Sequence, residues 1–291
     1  MSTEATPPAP VPALPEVVTF RNVTKSFGDG PEEKVAIKDV SFIVHDLPKR
    51  GELVCIVGPS GCGKSTVLRI IAGLEPQFPP TSGEALVFGK RIEGASAQRG
   101  VVDQRYSLLP HLTVIENIAF GLKLRGVARR EREAQAREWV EKVGLEGAEM
   151  KYPTELSGGM QQRVAIAATL VLKPPVLLMD EPFGALDPKI RLRMQELLLA
   201  LWKEQEGTVF FVTHSVEEAV YLGDRVFRMA ANPGRLVEQL EVERPDEPLE
   251  EMRRKPWFTE LTQDLLRRLE DDALASGALR GSRKVPTLGV R

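Results

Sequence analysis

The chain has 291 residues, 42% hydrophobic and 27% charged, with a formal net charge of -2 and a sequence pI of about 6.1. That balance suits a soluble globular protein of one large or two modest domains, and it lacks the basic excess of a nucleic-acid binder. Two cysteines, Cys55 and Cys62, make neither a disulfide framework nor a metal quartet, no apolar run is long enough to span a bilayer, and Met1 opens no secretory signal. A reducing cytosol is expected, with any membrane role supplied by a partner.

Residues 1–16 carry Pro7, Pro8, Pro10, Pro12 and Pro15. Fixed φ and missing donors keep such a segment out of helices and sheet interiors, so it reads as a disordered tail. Val17–Val23 has strand character, broken by Thr24–Gly28, and a second strand pair is expected over Val35–Val44. Phe27 reads as a core aromatic or as a ring for base stacking, worth roughly 1–3 kcal/mol per base. Leu53–Val57 is a buried strand. It leads into Gly58-Pro59-Ser60-Gly61-Cys62-Gly63-Lys64-Ser65, which fills every fixed position of the phosphate-binding pattern Gly-x-x-x-x-Gly-Lys-Ser/Thr. A helix from Thr66 to a stop at Gly73 completes strand, loop and helix.

The spacing follows from the chemistry. Glycines let consecutive N–H groups curl around phosphate oxygens with no Cβ in the way. The helix N-terminus adds unpaired donors and partial positive charge. Lys64 would reach the β- and γ-phosphates, and the Ser65 hydroxyl would ligate Mg²⁺. Cys62, close to that terminus and to Lys64, is the expected reactive thiol, and Cys55 the inert one.

Further on, Pro76–Gly83 is a proline-marked loop, Glu84–Phe88 a short strand and Gly100–Gln104 another strand end. From Leu108 the texture becomes helical, with Ile115, Ile118, Ala119 and Leu122 at helical spacing and a charged run, Arg129–Glu133, read as a solvated face. Ser157-Gly158-Gly159 before an apolar helix is either a plain N-cap or a second anion-binding terminus. Pro175–Glu181 is a strand ending in two carboxylates, at the edge where α/β ligands bind. Asp180 is placed to hold Mg²⁺, and Glu181, on the opposite side, to act as general base for a water. Helix Ile190–Glu204 and strand Thr208–Val212 follow. His214 after that strand is either structural or a γ-phosphate contact. Strands 225–229 and 235–242 close the sheet, 243–248 is a link, Trp257–Leu266 is helical, and Gly277–Arg291 reads as disordered.

Gly58–Ser65, Gln104, Leu156–Gln161, Val176–Glu181, Ala185-Leu186-Asp187 and His214 stand in the order and contexts of the ATP-binding cassette (ABC) ATPases. In turn they resemble the Walker A loop, Q-loop, signature, Walker B with catalytic Glu, D-loop and switch His. The resemblance implies an α/β fold: a P-loop NTPase core of ABC type over 17–242, with an antiparallel β subdomain and an α-helical insertion at about 108–172. Residues 243–291 would be linker, helix and tail. It implies ATP and Mg²⁺, a homodimer on an isologous interface, and ATP on one Walker A loop, Gly58–Ser65 with Thr66, capped by Ser157, Gly158, Gly159 and Gln161 of the other subunit. Phe27 would stack on adenine. Ser65, Gln104 and Asp180 would serve Mg²⁺. Lys64 would neutralise charge, while Glu181, His214 and Gln104 position the water.

Phe183–Asp187, Val216–Leu222 and Asn232-Pro233-Gly234-Arg235 resemble importer subunits of the nitrate, sulfonate and taurine group. That implies permease subunits, indirectly a solute-binding protein, no nucleic acid, and a peripheral place on the cytoplasmic face of the bacterial inner membrane. A permease helix would dock in a groove walled by Gln104–Leu109 and Pro110–Phe120, on the apolar run Tyr106, Leu108, Leu109, Pro110 and Leu112. An exporter or lipid-transport ATPase, and a soluble cluster-assembly ATPase, remain the alternatives.

Overall fold

A computed structural model describes residues 14–47, 51–103, 108–204, 207–243 and 245–275. Strands β1 (Glu16–Phe27), β2 (Lys34–His45), β4 (Ser82–Val87) and β5 (Lys90–Arg91) form an antiparallel sheet ordered β2-β1-β4-β5. Strands β3 (Glu52–Val57), β6 (Arg99–Val102), β7 (Val176–Asp180), β8 (Thr208–Val212), β9 (Arg225–Ala230) and β10 (Arg235–Glu241) form the second sheet, ordered β10-β9-β3-β8-β7-β6. Its strands are parallel except for the edge strand β10.

Both faces of the parallel sheet are covered, which is why β3, β7 and β8 read as apolar runs rather than alternating ones. The two-residue strand period divides β3 between two cores. Leu53, Cys55 and Val57 face α4 (Gly158–Leu170), α5 (Pro188–Glu204), α6 (Val216–Leu222) and α8 (Pro256–Ala275). Val54 and Ile56 face α1 (Lys64–Ala72) and the antiparallel sheet. The expected insertion is α2 (Val114–Leu124), α3 (Arg129–Lys142) and α4, packed on one another. Thr113 caps α2 in a reciprocal box with Glu116. On α3 only Ala136, Trp139 and Val140 are buried, so its charges do face solvent, with Arg129 paired to Glu133 at 2.7 Å.

Several boundaries differ from expectation. The break after Val23 is a bulge: Asn22 has φ 50, the register shifts between Phe20 and Val23, and β1 continues to Phe27. Val35–Val44 lies within one strand, β2, not a pair. Glu16, assigned to the tail, opens β1. The C-terminal helix continues past Leu266 to Ala275, after a short helix α7 (Leu249–Met252). Its charged second half is tied to the sheet by ion pairs of Arg268 with Glu238 and of Asp272 with Arg228, while Arg268 also pairs with Asp264 within the helix. Residues 1–13, Gln104, Tyr106 and 277–291, each with an expectation attached, lie outside the described residues. No helix among the described residues is long and apolar enough to cross a membrane.

Candidate functional site

Gly58–Ser65 leaves β3 and enters α1 with backbone that only glycine fits. Gly63 caps α1 at φ 90, and a Cβ there would lie 2.3 Å from Ile37 Cγ2. A Cβ on Gly58 would lie 2.5 Å from the Met229 carbonyl. The loop thus threads between β2 and β9, and its outer residues Ser60 and Gly61 are exposed with Pro59 half-buried. The buried Lys64 donates from Nζ to the carbonyls of Gly58 at 2.9 Å and Pro59 at 3.2 Å. Its charge is therefore held inside the loop curve. Ser65 Oγ donates to Asp180 Oδ1 at 3.0 Å, and Thr66 continues the first turn of α1.

The expectation for Cys62 is overturned. The residue is 0% exposed in the core between the two sheets, and burial pushes its thiol up despite Lys64 Nζ at 3.9 Å. Helix terminus and ammonium cannot make a nucleophile of a sulfur sealed from water. Cys55 is buried as well. Maleimide is expected to label neither cysteine in the native protein and both in denaturant. Rapid native labelling of Cys62 would show that the loop opens.

Strand alternation puts Leu177 and Met179 on one face of β7 and Val176 and Leu178 on the other. Asp180 follows the second set and meets Ser65 at the head of α1. Burial pushes its carboxyl up, partly offset by the Ser65 hydrogen bond, and Asp103 and Glu181 add repulsion. Asp103 is held there by Arg69 Nη2 at 2.8 Å. Ser65 hydroxyl and a buried, crowded carboxylate suit a hard divalent cation, whose charge would relieve that repulsion. Gln104, expected to join them, lies outside the described residues.

Glu181 follows the strand at φ 49, a left-handed conformation that costs a non-glycine residue on the order of 1 kcal/mol. Its N–H donates to the Val212 carbonyl at 3.0 Å, so the turn is pinned to β8. The result re-aims the side chain: Glu181 Oε1 lies 2.6 Å from His214 Nε2, with the imidazole half-exposed. A carboxylate accepting from an imidazole beside open solvent can orient a water and take its proton.

Ser157 caps α4, its hydroxyl accepting from the Met160 N–H at 3.3 Å, and Ser157 and Gly158 are exposed. Gln161 turns back to the Pro153 and Leu156 carbonyls at 2.8 and 3.2 Å, which holds the turn ahead of the cap. This start of α4 lies against the Ala185-Leu186 turn: a Cβ on Gly159 would come 3.3 Å from Leu186 Cδ2. Phe27 is half-buried at the end of β1, with Lys25 Nζ 5.3 Å from its ring centroid. Its partner in the ladder is Lys34, on the strand that carries Ala36 and Ile37 to the phosphate loop.

Sequence reasoning missed the polar residues behind this site. Gln162 is 2% exposed and donates to the Glu181 carbonyl at 3.5 Å. Gln195 and Glu218 are buried and bonded to each other at 2.7 Å. Burial pushes the Glu218 carboxyl up, against hydrogen bonds from Thr213 and Gln195. The one signal was an acid on the apolar stretch Val216–Leu222.

The model of the ABC transporter family matches residues 37–184. An uncharacterized ABC transporter ATP-binding protein of Methanocaldococcus jannaschii is 46% identical over 257 residues, 88% of this chain and 92% of that one. The nitrate import ATP-binding protein of Synechocystis is 44% identical, covering 79% and 86%, and the taurine import ATP-binding protein of Rhizobium johnstonii 50% identical, covering 72% and 77%. Among solved structures, the dimeric post-hydrolysis state of an ATP-binding cassette bound to ADP and Pi superposes with a TM-score of 0.69 at 34% identity, over 79% of this chain and all of that one. Phosphate loop, carboxylate strand and imidazole thus sit on a matching fold, and the chain belongs to the ABC transporter family as an ATP-hydrolysing subunit.

Proposed function

We propose that this ATPase powers an importer of small oxyanions of the nitrate, sulfonate and taurine kind. It works as a head-to-tail homodimer, peripheral to the cytoplasmic face of the bacterial inner membrane, with permease subunits and, through them, a solute-binding protein. The names of the import relatives support the solute class. The observation that carries the chemistry is the pairing of Glu181 with His214 at 2.6 Å beside Ser65 and Asp180 at 3.0 Å.

Lys64 and the loop N–H groups bind and neutralise the phosphates. Phe27 stacks on the adenine. Ser157, Gly158 and Gly159, with Gln161 bracing their turn, offer donors to the nucleotide of the partner subunit. Glu181 takes the proton of the attacking water, oriented by His214 and Gln104. Ser65, Asp180 and Gln104 would hold Mg²⁺, which when bound neutralises charge on the phosphoryl oxygens.

The test begins with the adjacent reading frames and continues with reconstitution of this chain with any permease and binding protein that they encode. ATP turnover should rise when the binding protein is loaded with nitrate, taurine or an alkanesulfonate. No stimulation by any of the three would remove this solute class, and neighbouring reading frames without a permease would remove import.

For the permease surface we propose Leu124, on the same insertion as the expected groove, whose wall residues Gln104 and Tyr106 lie outside the described residues. Leu109 has its backbone pinned on both sides by Asn117, at 2.8 and 3.1 Å. Among the described residues it lines neither groove of this region. One groove, about 440 Å³, runs between the sheet edge at Arg99–Asp103 and α2 and α4, where Leu124 is 72% exposed. The other lies on the insertion itself and includes Leu112 and Phe120. Leu124→Asp, already in water, should cost the fold little, yet a charge there would oppose an apolar docking helix. We expect lost permease co-purification with unchanged ATP binding. Normal assembly in this variant would move the docking site elsewhere.

A further inference from the structure

The loop carrying His214 is held by a buried polar group, Gln195, Glu218 and Thr213, standing on the helix that follows the Ala185-Leu186-Asp187 turn. Helix α5 starts at Pro188, and Asp187 Oδ1 accepts from the Ile190 N–H at 3.1 Å. One turn in, Arg191 donates back to the carbonyls of Phe183 at 3.2 Å and Leu186 at 3.0 Å. Gln195 lies four residues on, on the same helix face. It is 4% exposed, and its Nε2 donates to Glu218 Oε1 at 2.7 Å. The other Glu218 oxygen accepts from the Thr213 hydroxyl. Thr213 Oγ1 in turn accepts from the Ser215 N–H at 3.0 Å, and Ser215 Oγ accepts from the Glu218 N–H at 3.2 Å. Residues 213 and 215 are therefore locked on either side of His214, whose ring meets Glu181.

We propose that Glu218, joined to Gln195 and Thr213, is a positioning residue that ties the Ala185–Asp187 turn to His214 and so sets the His214–Glu181 geometry for hydrolysis. The inference rests on the roles given above to Glu181 and His214. Its physical basis is that a fully satisfied buried network admits one arrangement, whereas water-exposed side chains admit many. His214 is half-exposed, and the bonds of Thr213 and Ser215 fix the backbone on either side of it from below. The start of α4 lies close enough to this turn that a Cβ on Gly159 would come 3.3 Å from Leu186 Cδ2, so a displacement of Ser157–Gly159 would reach His214 along the same route.

The experiment uses the full chain, with steady-state ATP hydrolysis, MgATP binding and thermal melting as readouts. Thr213→Val keeps shape and removes the hydroxyl, Thr213→Ser restores it, and Glu218→Ala removes the centre of the network. Thr213→Val and Glu218→Ala are each expected to lower kcat by roughly 10- to 100-fold, the scale of a small misplacement of reacting groups, with KM changed less than about threefold. Thr213→Ser should recover most of the lost turnover. In a His214→Ala background either change should cost less than about twofold more, since residues acting as one unit do not add. Full multiplicative losses in that background, a raised KM at unchanged kcat, or no rescue by serine would overturn the proposal. If Glu218→Ala fails to fold, the threonine pair still decides. If His214→Ala alone leaves turnover intact, the reading of the site fails, and this inference with it. Intact turnover in Thr213→Val beside a damaged His214→Ala sinks only the network.

Discussion

Glu181→Gln is expected to lower ATP turnover by roughly 10²–10⁴-fold, the usual worth of a positioned general base, while ATP binding is retained. The amide keeps the length of the side chain and its acceptor toward His214, and the substitution makes no new demand on the φ 49 backbone. What it removes is the group that takes the proton. ATP then stays unhydrolysed, and the variant should accumulate as a nucleotide-bound dimer on gel filtration. Single-turnover hydrolysis and equilibrium binding separate the two effects. Turnover within a few-fold of wild type would take Glu181 out of the role of base and leave its strained backbone without a catalytic explanation.

Lys64→Ala is expected to act one step earlier. The ammonium is 5% exposed and bonded only within its own loop curve, so its loss removes the cation meant for the phosphates while leaving β3 and α1 in place. Losing one preorganised donor of this kind costs roughly 10²–10³ in turnover. The sharper readout is thermal stability. A ligand at 100 times its Kd stabilises the native state by about 2.7 kcal/mol, so MgATP should raise the melting temperature of the wild type clearly and that of Lys64→Ala much less. Without nucleotide the two proteins should melt within a few degrees. A full MgATP shift in the variant would mean that the backbone amides carry the binding and that Lys64 matters only in the transition state. A large fall in melting temperature without nucleotide would make Lys64 a structural residue of the loop.

Much of the site was legible because its chemistry is encoded at short range. A phosphate cradle needs glycines at set spacing between a strand and a helix, and Gly58 and Gly63 sit where a Cβ would collide with Met229 and Ile37. The carboxylates could be placed from strand parity alone: Asp180 continues the face of Val176 and Leu178 and meets Ser65. The left-handed turn that swings Glu181 onto His214 was not readable, since nothing in Glu181-Pro182-Phe183 names a positive φ. Bulges have the same character. A break and a bulge in β1 look alike until β2 and β4 pair across it.

By itself, the sequence determined the phosphate loop, the main strands and helices around it, the paired acids at a strand end and the family they belong to, because each depends on residue type and on a period of two or 3.6. Tertiary structure alone decided which groups are reachable and which are joined. Cys62 has the neighbours of a reactive thiol and is sealed by packing between two sheets. Leu124 sits on an apolar helix and yet stands in water beside the groove. Glu218 reads as one more helical acid until α5 and β8 bring Gln195 and Thr213 to its two oxygens. The physical reason is common to all three. Burial and hydrogen-bond partnership are set by elements distant in the chain that meet only when the cores close, and no local pattern of residues records that meeting.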